Sequence, residues 1–339
     1  MRLQIDVTVW RGPIAEARHR VQAAVCDPAG ATLAATAGAG AVTGFRSAAK
    51  PFQALPLLER GHDRRFGLDD ETLAVLCASH TGSPRHVACV RALLARLGLE
   101  ERHLACGFHP PEDPESQAAL AAGREAPSPV FNNCSGKHAG MLALALAEGW
   151  PVEGYERPDH PVQRLMLASV AEAAGVAPEA VPCGVDGCSV PAFGLSLAAM
   201  ARAYARLAAA RRDGDARERA MARVRDAMIA HPRATAGAGR FSAALMEAAG
   251  GAAISKVGAE GLECVGLPER GLGLAVKCED GAARAVPPAV VALLETLEAL
   301  APGRLASLGA WRAPEVRNHA GRATGTIEAA VRVLSGAGA

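Results

Sequence analysis

Ser47 and Lys50 stand three residues apart in the stretch Arg46-Ser47-Ala48-Ala49-Lys50-Pro51-Phe52-Gln53-Ala54-Leu55-Pro56-Leu57-Leu58. The spacing predicts a helix start, with Phe52, Leu55 and Leu58 facing the core and Pro51 in the first turn, where its missing amide leaves no partner short. Ser47 caps or begins that helix, and residues three apart share a face. A lysine that has lost its proton can take the proton of such a serine, which makes Ser47 a candidate nucleophile with its own base. The alternative is a capping serine beside a solvated lysine.

Two further polar stretches bear on the choice. Ser79 closes a helix expected over 69–78 and opens the turn Ser79-His80-Thr81-Gly82, and Lys256-Val257-Gly258 lies on an expected strand. A second serine can relay protons, a strand lysine supplies positive charge, and a glycine two residues on lets a ligand approach the backbone. Cys134 and Cys188 lie on two glycine-rich stretches, Asn132–Gly140 and Cys183–Pro191. From spacing, His138, four residues after Cys134, completes a three-ligand zinc site with them. The competing reading makes these cysteines small buried core residues.

The elements that must position these groups follow from periodicity. Residues 19–26 and 31–37 read as a hairpin about the Asp27-Pro28-Ala29-Gly30 turn, leading through a glycine-rich loop into the Ser47 helix. Helices are expected at 69–78, 84–97, 141–148, 161–174, 195–211, 217–230 and 239–249. Residues 105–130 read as a long loop, and 182–191 as a loop too rich in breakers to form an element. Strands return at 253–258, 262–267 and 271–278, followed by a helix over 283–301 and an edge strand near 313–319. Strands at both ends can meet in one antiparallel sheet, giving an α/β (α+β) architecture: a sheet lobe of 1–45 with 250–339, and a mostly helical lobe of 46–249 in the same catalytic unit.

The 339 residues carry a net charge of +1, half of them are apolar and 21 % charged. That is globular composition, with no basic stripe or acidic tail to call for nucleic acid or a membrane surface. Met1–Val7 is too short and polar for a targeting core, and no apolar run approaches the roughly 20 residues of a span. Nine cysteines without an export signal point to reduced thiols in the cytoplasm.

The order S-x-x-K, then a helical-lobe serine, then K-x-G on a strand resembles the plan of serine β-lactamases and penicillin-binding proteins, except that Ser79-His80-Thr81 replaces S-D-N and Val257 the usual threonine. The longer motifs are more specific. Phe45–Lys50 with Gln53–Leu57, Ala78–Gly82, Asn132–Gly140, Cys183–Pro191 and Lys256–Gly261 resemble, in order, those of the Rhizobium etli-type L-asparaginases, the asparaginase II family. The resemblance runs over about residues 17 to 320. It implies a β-lactamase-like fold, a homodimer and hydrolysis of L-asparagine to aspartate and ammonia. It also implies two serine–lysine pairs, Ser47 with Lys50 and Ser79 with Lys256, in which two ammonium groups disfavour each other and help one to stay neutral. Zinc, one per subunit, is implied on Cys134, Lys137 and Cys188, with His138 left to contact substrate or support the site. Asp186 then binds the substrate's α-ammonium or orients a lysine, against an ordinary Asx turn. Arg46 holds a carboxylate, against a surface arginine, and Glu260 pairs with a site lysine. His80 is expected to be a structural hydrogen bonder, and Cys26, Cys77, Cys89, Cys106, Cys183, Cys264 and Cys278 to be core residues. The rival readings are another β-lactamase-like serine acyl hydrolase and a non-enzymatic zinc- or amino-acid-binding relative.

Overall fold

Leu3, Ile5, Val7 and Val9 are buried in alternation with Gln4, Asp6 and Thr8, and this period of two makes Arg2–Arg11 the first strand, β1. The computed structural model describes residues 1–334. After β1 come β2 (Ile14–Cys26), β3 (Thr32–Thr36) and β4 (Val42–Gly44), a 3₁₀ turn at Arg46–Ala49, and helices α1 (Lys50–Glu59), α2 (His62–Arg65), α3 (Asp70–Leu76), α4 (Pro84–Arg96), α5 (Pro114–Ala121), α6 (Ser135–Glu148) and α7 (Pro161–Ala174). The short strands β5 (Cys183–Val185) and β6 (Pro191–Ser196) precede α8 (Leu197–Ala209), α9 (Ala216–Ala230), α10 (Pro232–Ala236) and α11 (Phe241–Ala249). Strands β7 (Ile254–Gly258), β8 (Leu262–Leu267) and β9 (Leu272–Cys278), helices α12 (Val286–Thr296), α13 (Pro302–Ala306) and α14 (Gly309–Arg312), and strands β10 (Glu315–Arg317) and β11 (Ala323–Leu334) complete the chain.

These elements form two compact units. One comprises Met1–Ala48, Leu195–Ala209 and the chain from Ala244, the other Ala49–Gly194 and Ala210–Ala243. The first is built on an eight-stranded sheet of order β10-β11-β1-β3-β2-β9-β8-β7, antiparallel except where β1 meets β3. Strands from the two ends of the chain therefore share one sheet, the mixed α/β architecture expected from sequence. Helix α12 lies against β11, β9 and β1, and α8 against β9, β2 and β8. A Cβ on Gly273 would stand 2.0 Å from Ala201 O, so a bare backbone at that point is what lets α8 settle on β9.

In the helical unit, caps fix the element starts: Asp69 accepts from Thr72 N, Asp113 from Ser116 N, and Asp215 forms a reciprocal box with Glu218. Helix α1 is buried from Lys50 through Leu58 and carries Pro56 in its interior. Proline at that point frees the carbonyl of Phe52, and Ser169 Oγ of α7 donates to it at 2.7 Å. A Cβ on Gly136 would lie 2.3 Å from Val75 O, so α6 packs on α3 through a missing side chain.

Several expectations need correction. Strands β1 and β11 were not read from sequence. The loop expected over 105–130 contains α5, which buries only Ser116 and so shows little apolar periodicity. The stretch read as too broken for an element holds β5, paired with β6 in the register Cys183↔Phe193, Gly184↔Ala192 and Val185↔Pro191. The helix expected over 283–301 stops at Thr296. Helix α8 groups with the sheet unit rather than with the helices around it in sequence. Among the described residues no helix is long and apolar enough to cross a membrane.

Candidate active site

Lys50 is the first residue of α1, and its side chain is 1 % exposed. Its Nζ lies 2.5 Å from Ala78 O, 3.1 Å from Ser79 Oγ and 3.3 Å from Asn133 O. As an ammonium Nζ donates to all three; once a proton is lost, the two carbonyls, which only accept, would keep the remaining N–H groups and leave the lone pair toward the Ser79 hydroxyl. Ser79, half-buried just beyond α3, is held by its own amide, which donates to Thr235 O at 3.1 Å. His80 Nδ1 accepts from Gly82 N at 3.1 Å, so the ring proton sits on Nε2 and is donated to Ser135 Oγ at 2.9 Å, which in turn donates to Val130 O at 2.8 Å. His80 is thus the structural hydrogen bonder expected, and it fixes the residue after Ser79.

The cysteines converge at the start of α6. Asn132 Oδ1 accepts from Cys134 N at 2.9 Å while its amide donates to Cys106 O and Gly107 O, so one asparagine shapes the turn that presents Cys134. The loop from Asp186 to Val190 closes on itself by Asp186 N–Val190 O at 2.8 Å and Ser189 N–Asp186 O at 2.9 Å, with Ser189 at φ +76°, and turns Cys188 inward. A hydrogen bond from Cys188 holds the Cys134 thiol well below its usual range against the pull of burial, with the positive charges of Lys50 and Lys137 helping. The same bond, with burial, pushes Cys188 up. Lys137 donates to Cys188 Sγ at 3.0 Å. Burial pulls its ammonium down, but Cys134, Cys188 and Asp186 outweigh that and leave it raised. Two sulfurs and an amine in one buried spot are a donor set that fits a borderline dication such as zinc, which would displace the protons of Cys188 and Lys137. His138, the third ligand suggested by spacing, does not join them. Among the described residues, the one His/Cys/carboxylate trio with all ligand atoms within 4.8 Å is His19, Cys278 and Asp280.

Ser47, Arg46, Lys256 and Glu260 belong to the sheet unit. Ser47 lies in the 3₁₀ turn, not as the cap of α1, whose N-cap is Ala49 without a side-chain bond. Tyr204 of α8 anchors this turn by donating to Ala48 O at 2.8 Å and packing edge-on against Phe45. Arg46, immediately before Ser47, has φ +46°, a strained conformation for a residue with a side chain. Lys256 is fully buried on β7, opposite Cys264, and donates to Val257 O at 3.0 Å. Glu260 sits exposed in the β7–β8 turn at φ +62°. Asp186, half-buried, accepts from Gly187 N at 2.7 Å. No disulfide joins any of the nine cysteines, and Cys183 is exposed at the start of β5 rather than in the core.

The pattern of motifs can be set against known proteins. The family model described as L-asparaginase II matches residues 7–329. This chain belongs to the L-asparaginase II family. The match runs past the region of resemblance read from the motifs at both ends and reaches into β11. No curated protein sequence matches. Among solved structures, a β-lactamase from Mycobacterium bovis superposes with a TM-score of 0.42 and 15 % identity, over 83 % of this chain and 95 % of that one. Mglu in its tris and glutamate form gives 0.37 and 16 %, over 84 % of this chain and 61 % of that one.

In this asparaginase-family chain, sequence reasoning missed Tyr155. It is one of only two tyrosines, and its hydroxyl lies 2.6 Å from His138 Nδ1 while accepting from Ala105 N at 2.8 Å. Tyrosine scarcity was the available signal, because a buried tyrosine hydroxyl needs a partner. His138 Nε2 has no hydrogen-bond partner, and burial, with Lys137 and Lys50 nearby, holds the ring well below its usual 6.5. The unfolded chain takes up this proton near 6.5 and the folded chain does not, so stability is level above that pH and falls below it. The expected slope from His138 is about 1.4 kcal/mol per pH unit. His86, also buried and lowered chiefly by desolvation, adds with the same sign. Denaturant titrations from about pH 7.5 to about pH 5 check this. His138→Gln should flatten the acid limb, and an unchanged slope in that variant would refute the assignment.

Proposed function

We propose that this chain hydrolyses the side-chain amide of L-asparagine to L-aspartate and ammonia through a seryl acyl-enzyme, using two serine–lysine pairs. The observation that carries the reading is the buried Lys50 Nζ lying 3.1 Å from Ser79 Oγ, with its other contacts taken by backbone carbonyls. That contact joins Lys50 to Ser79, where the resemblance had paired Lys50 with Ser47 three residues earlier. In this reading neutral Lys50 receives the Ser47 proton, directly or by way of Ser79, as Ser47 Oγ adds to the amide carbon. The Ser47 backbone N–H steadies the oxyanion. Lys50 returns the proton to the departing nitrogen, ammonia leaves, and a water deprotonated along the same route cleaves the ester. Lys256 supplies fixed positive charge and, with Ser79, positions the nucleophile. Arg46 holds the substrate carboxylate and Asp186 its ammonium, while His138 and Glu260 line the binding site. Cys134, Lys137 and Cys188 would hold zinc, which supplies a positive centre able to anchor or polarise a substrate oxygen. A cytoplasmic homodimer with no nucleic-acid or membrane partner completes the reading.

An ammonia-release assay with L-asparagine, L-glutamine and a chromogenic β-lactam tests it. L-Asparagine turnover is expected. Hydrolysis of the β-lactam alone would replace the reading with another acyl hydrolase, and silence on all three with zinc retained would point to a non-enzymatic relative. Mass spectrometry of a trapped acyl adduct locates the nucleophile: Ser47 is expected, and an adduct on Ser79 would exchange the two roles. Metal analysis should find zinc of which Cys188→Ala loses one equivalent, and an unchanged zinc content in that variant would remove this metal from the reading.

A further inference from the structure

The end of β9 carries Cys278 and, two residues on, Asp280. Register pairs Val21 of β2 with Cys278 of β9. Alternation then places His19, two residues before Val21, on the face that Cys278 presents. The outcome is a trio of unlike donors held by rigid strands. His19 Nδ1 lies 2.6 Å from Asp280 Oδ2, Cys278 Sγ lies 2.9 Å from Asp280 Oδ1, and all three ligand atoms lie within 4.8 Å of one another. The backbone around them is fixed by Glu279 N–Arg20 O at 3.0 Å, Cys278 N–Gly261 O at 2.8 Å and Ala282 N–Asp280 Oδ1 at 2.9 Å.

We propose that His19, Cys278 and Asp280 form a binding site for a borderline d-block dication, zinc before others, separate in its residues from Cys134, Lys137 and Cys188. Imidazole nitrogen, thiolate sulfur and carboxylate oxygen are each zinc ligands, and three protein donors leave a fourth position for water. Cys278 is fully buried and His19 nearly so, whereas Asp280 is half-exposed and gives the ion its way in. The proton balance is explicit. Arg284 Nε donates to His19 Nε2 at 3.2 Å, so the ring proton now sits on Nδ1 and points at Asp280. Binding releases the Cys278 thiol proton to solvent, moves the ring proton from Nδ1 to Nε2, and turns Arg284 away from that nitrogen. Dication, thiolate and carboxylate then sum to zero charge. The ion would pin β2 to the turn that leads into α12, stabilising the folded chain because the unfolded chain lacks the site.

Cobalt(II) titration of the full-length Cys188→Ala protein tests this, since that substitution silences the other cysteine pair. One equivalent should bind with a sulfur-to-cobalt charge-transfer band. Cys278→Ser should abolish the band, and Asp280→Asn, a half-exposed change, should weaken binding at least about tenfold. Zinc should raise the melting temperature of the Cys188→Ala protein by about 2 °C or more, and not that of its Asp280→Asn derivative. In the unmutated protein the same site should count as an equivalent of metal that Asp280→Asn removes. Absence of the charge-transfer band, or a band and affinity unaltered by Asp280→Asn and Cys278→Ser, would overturn the proposal and leave the trio a hydrogen-bonded turn.

Discussion

Lys50→Met is expected to lower asparagine turnover by about 10³-fold while the protein stays folded. Methionine matches the length of the lysine stem, with sulfur at the δ position, and lacks the nitrogen. The cost in stability falls on two carbonyls. Asn133 O keeps a second donor, His80 N at 3.3 Å, so Ala78 O is the group left most exposed to the loss, at about 1–3 kcal/mol. A chain of this size can carry that penalty. The kinetic loss should lie in kcat, because the nitrogen is needed to move a proton and not to hold substrate. Two further measurements separate chemistry from packing. A small primary amine added to the Lys50→Met enzyme should restore part of the rate, which a structural lysine would not allow. Lys50→Arg should remain nearly as slow as Lys50→Met, since a guanidinium does not give up its proton. Turnover within tenfold of the parent in Lys50→Met, or no rescue by amine together with full activity in Lys50→Arg, would remove Lys50 as the base.

The parts of this molecule that could be read in advance were those whose information is local. The motif around Ser79, the turn at Asn132–Gly140 and the strands β7 to β9 announce themselves by polar residues and alternation within a few positions. The partnership of Lys50 was not local. Three residues separate it from Ser47 and 29 from Ser79, yet Ser79 Oγ is the serine oxygen its Nζ touches, because α3 delivers residue 79 and the turn before α6 delivers Asn133. Helical spacing cannot show a contact made between elements. Strand β1 carries an open period-two signal, since Leu3, Ile5, Val7 and Val9 alternate without a break. Strand β5 carries none: Cys183, Gly184 and Val185 are all exposed, so burial leaves no alternation, and only the pairing with β6 defines it. His138 shows the limit from the other side. Its i,i+4 relation to Cys134 is real helical geometry, but the ring is drawn to Tyr155, 17 residues ahead, and a spacing rule does not see that competitor.

Gly136→Ala should destabilise the protein by about 1–3 kcal/mol although it replaces glycine inside a helix. Helix propensity alone favours alanine there by about 1 kcal/mol. The opposing contact is larger, because the new methyl would stand 2.3 Å from Val75 O and 2.8 Å from Val75 Cγ1, and the first of these is backbone that cannot rotate away. Helix α6 or α3 must therefore move. Gly136 lies two residues after Cys134 and directly before Lys137, and Val75 lies four residues before Ser79, so either displacement reaches the candidate site. The expected signature is a lower denaturation midpoint joined to weaker zinc retention and a fall in asparagine turnover, all from one methyl group that touches no proposed ligand. Gly140→Ala, one helical turn later, provides the comparison. Its methyl would meet Leu76 Cδ2 at 2.9 Å, the movable end of a side chain, so it should cost less and leave metal retention intact. Equal effects of the two substitutions on metal and turnover would mean that α6 responds as a rigid body, and that the close approach at Gly136 has no special part in setting the Cys134 turn.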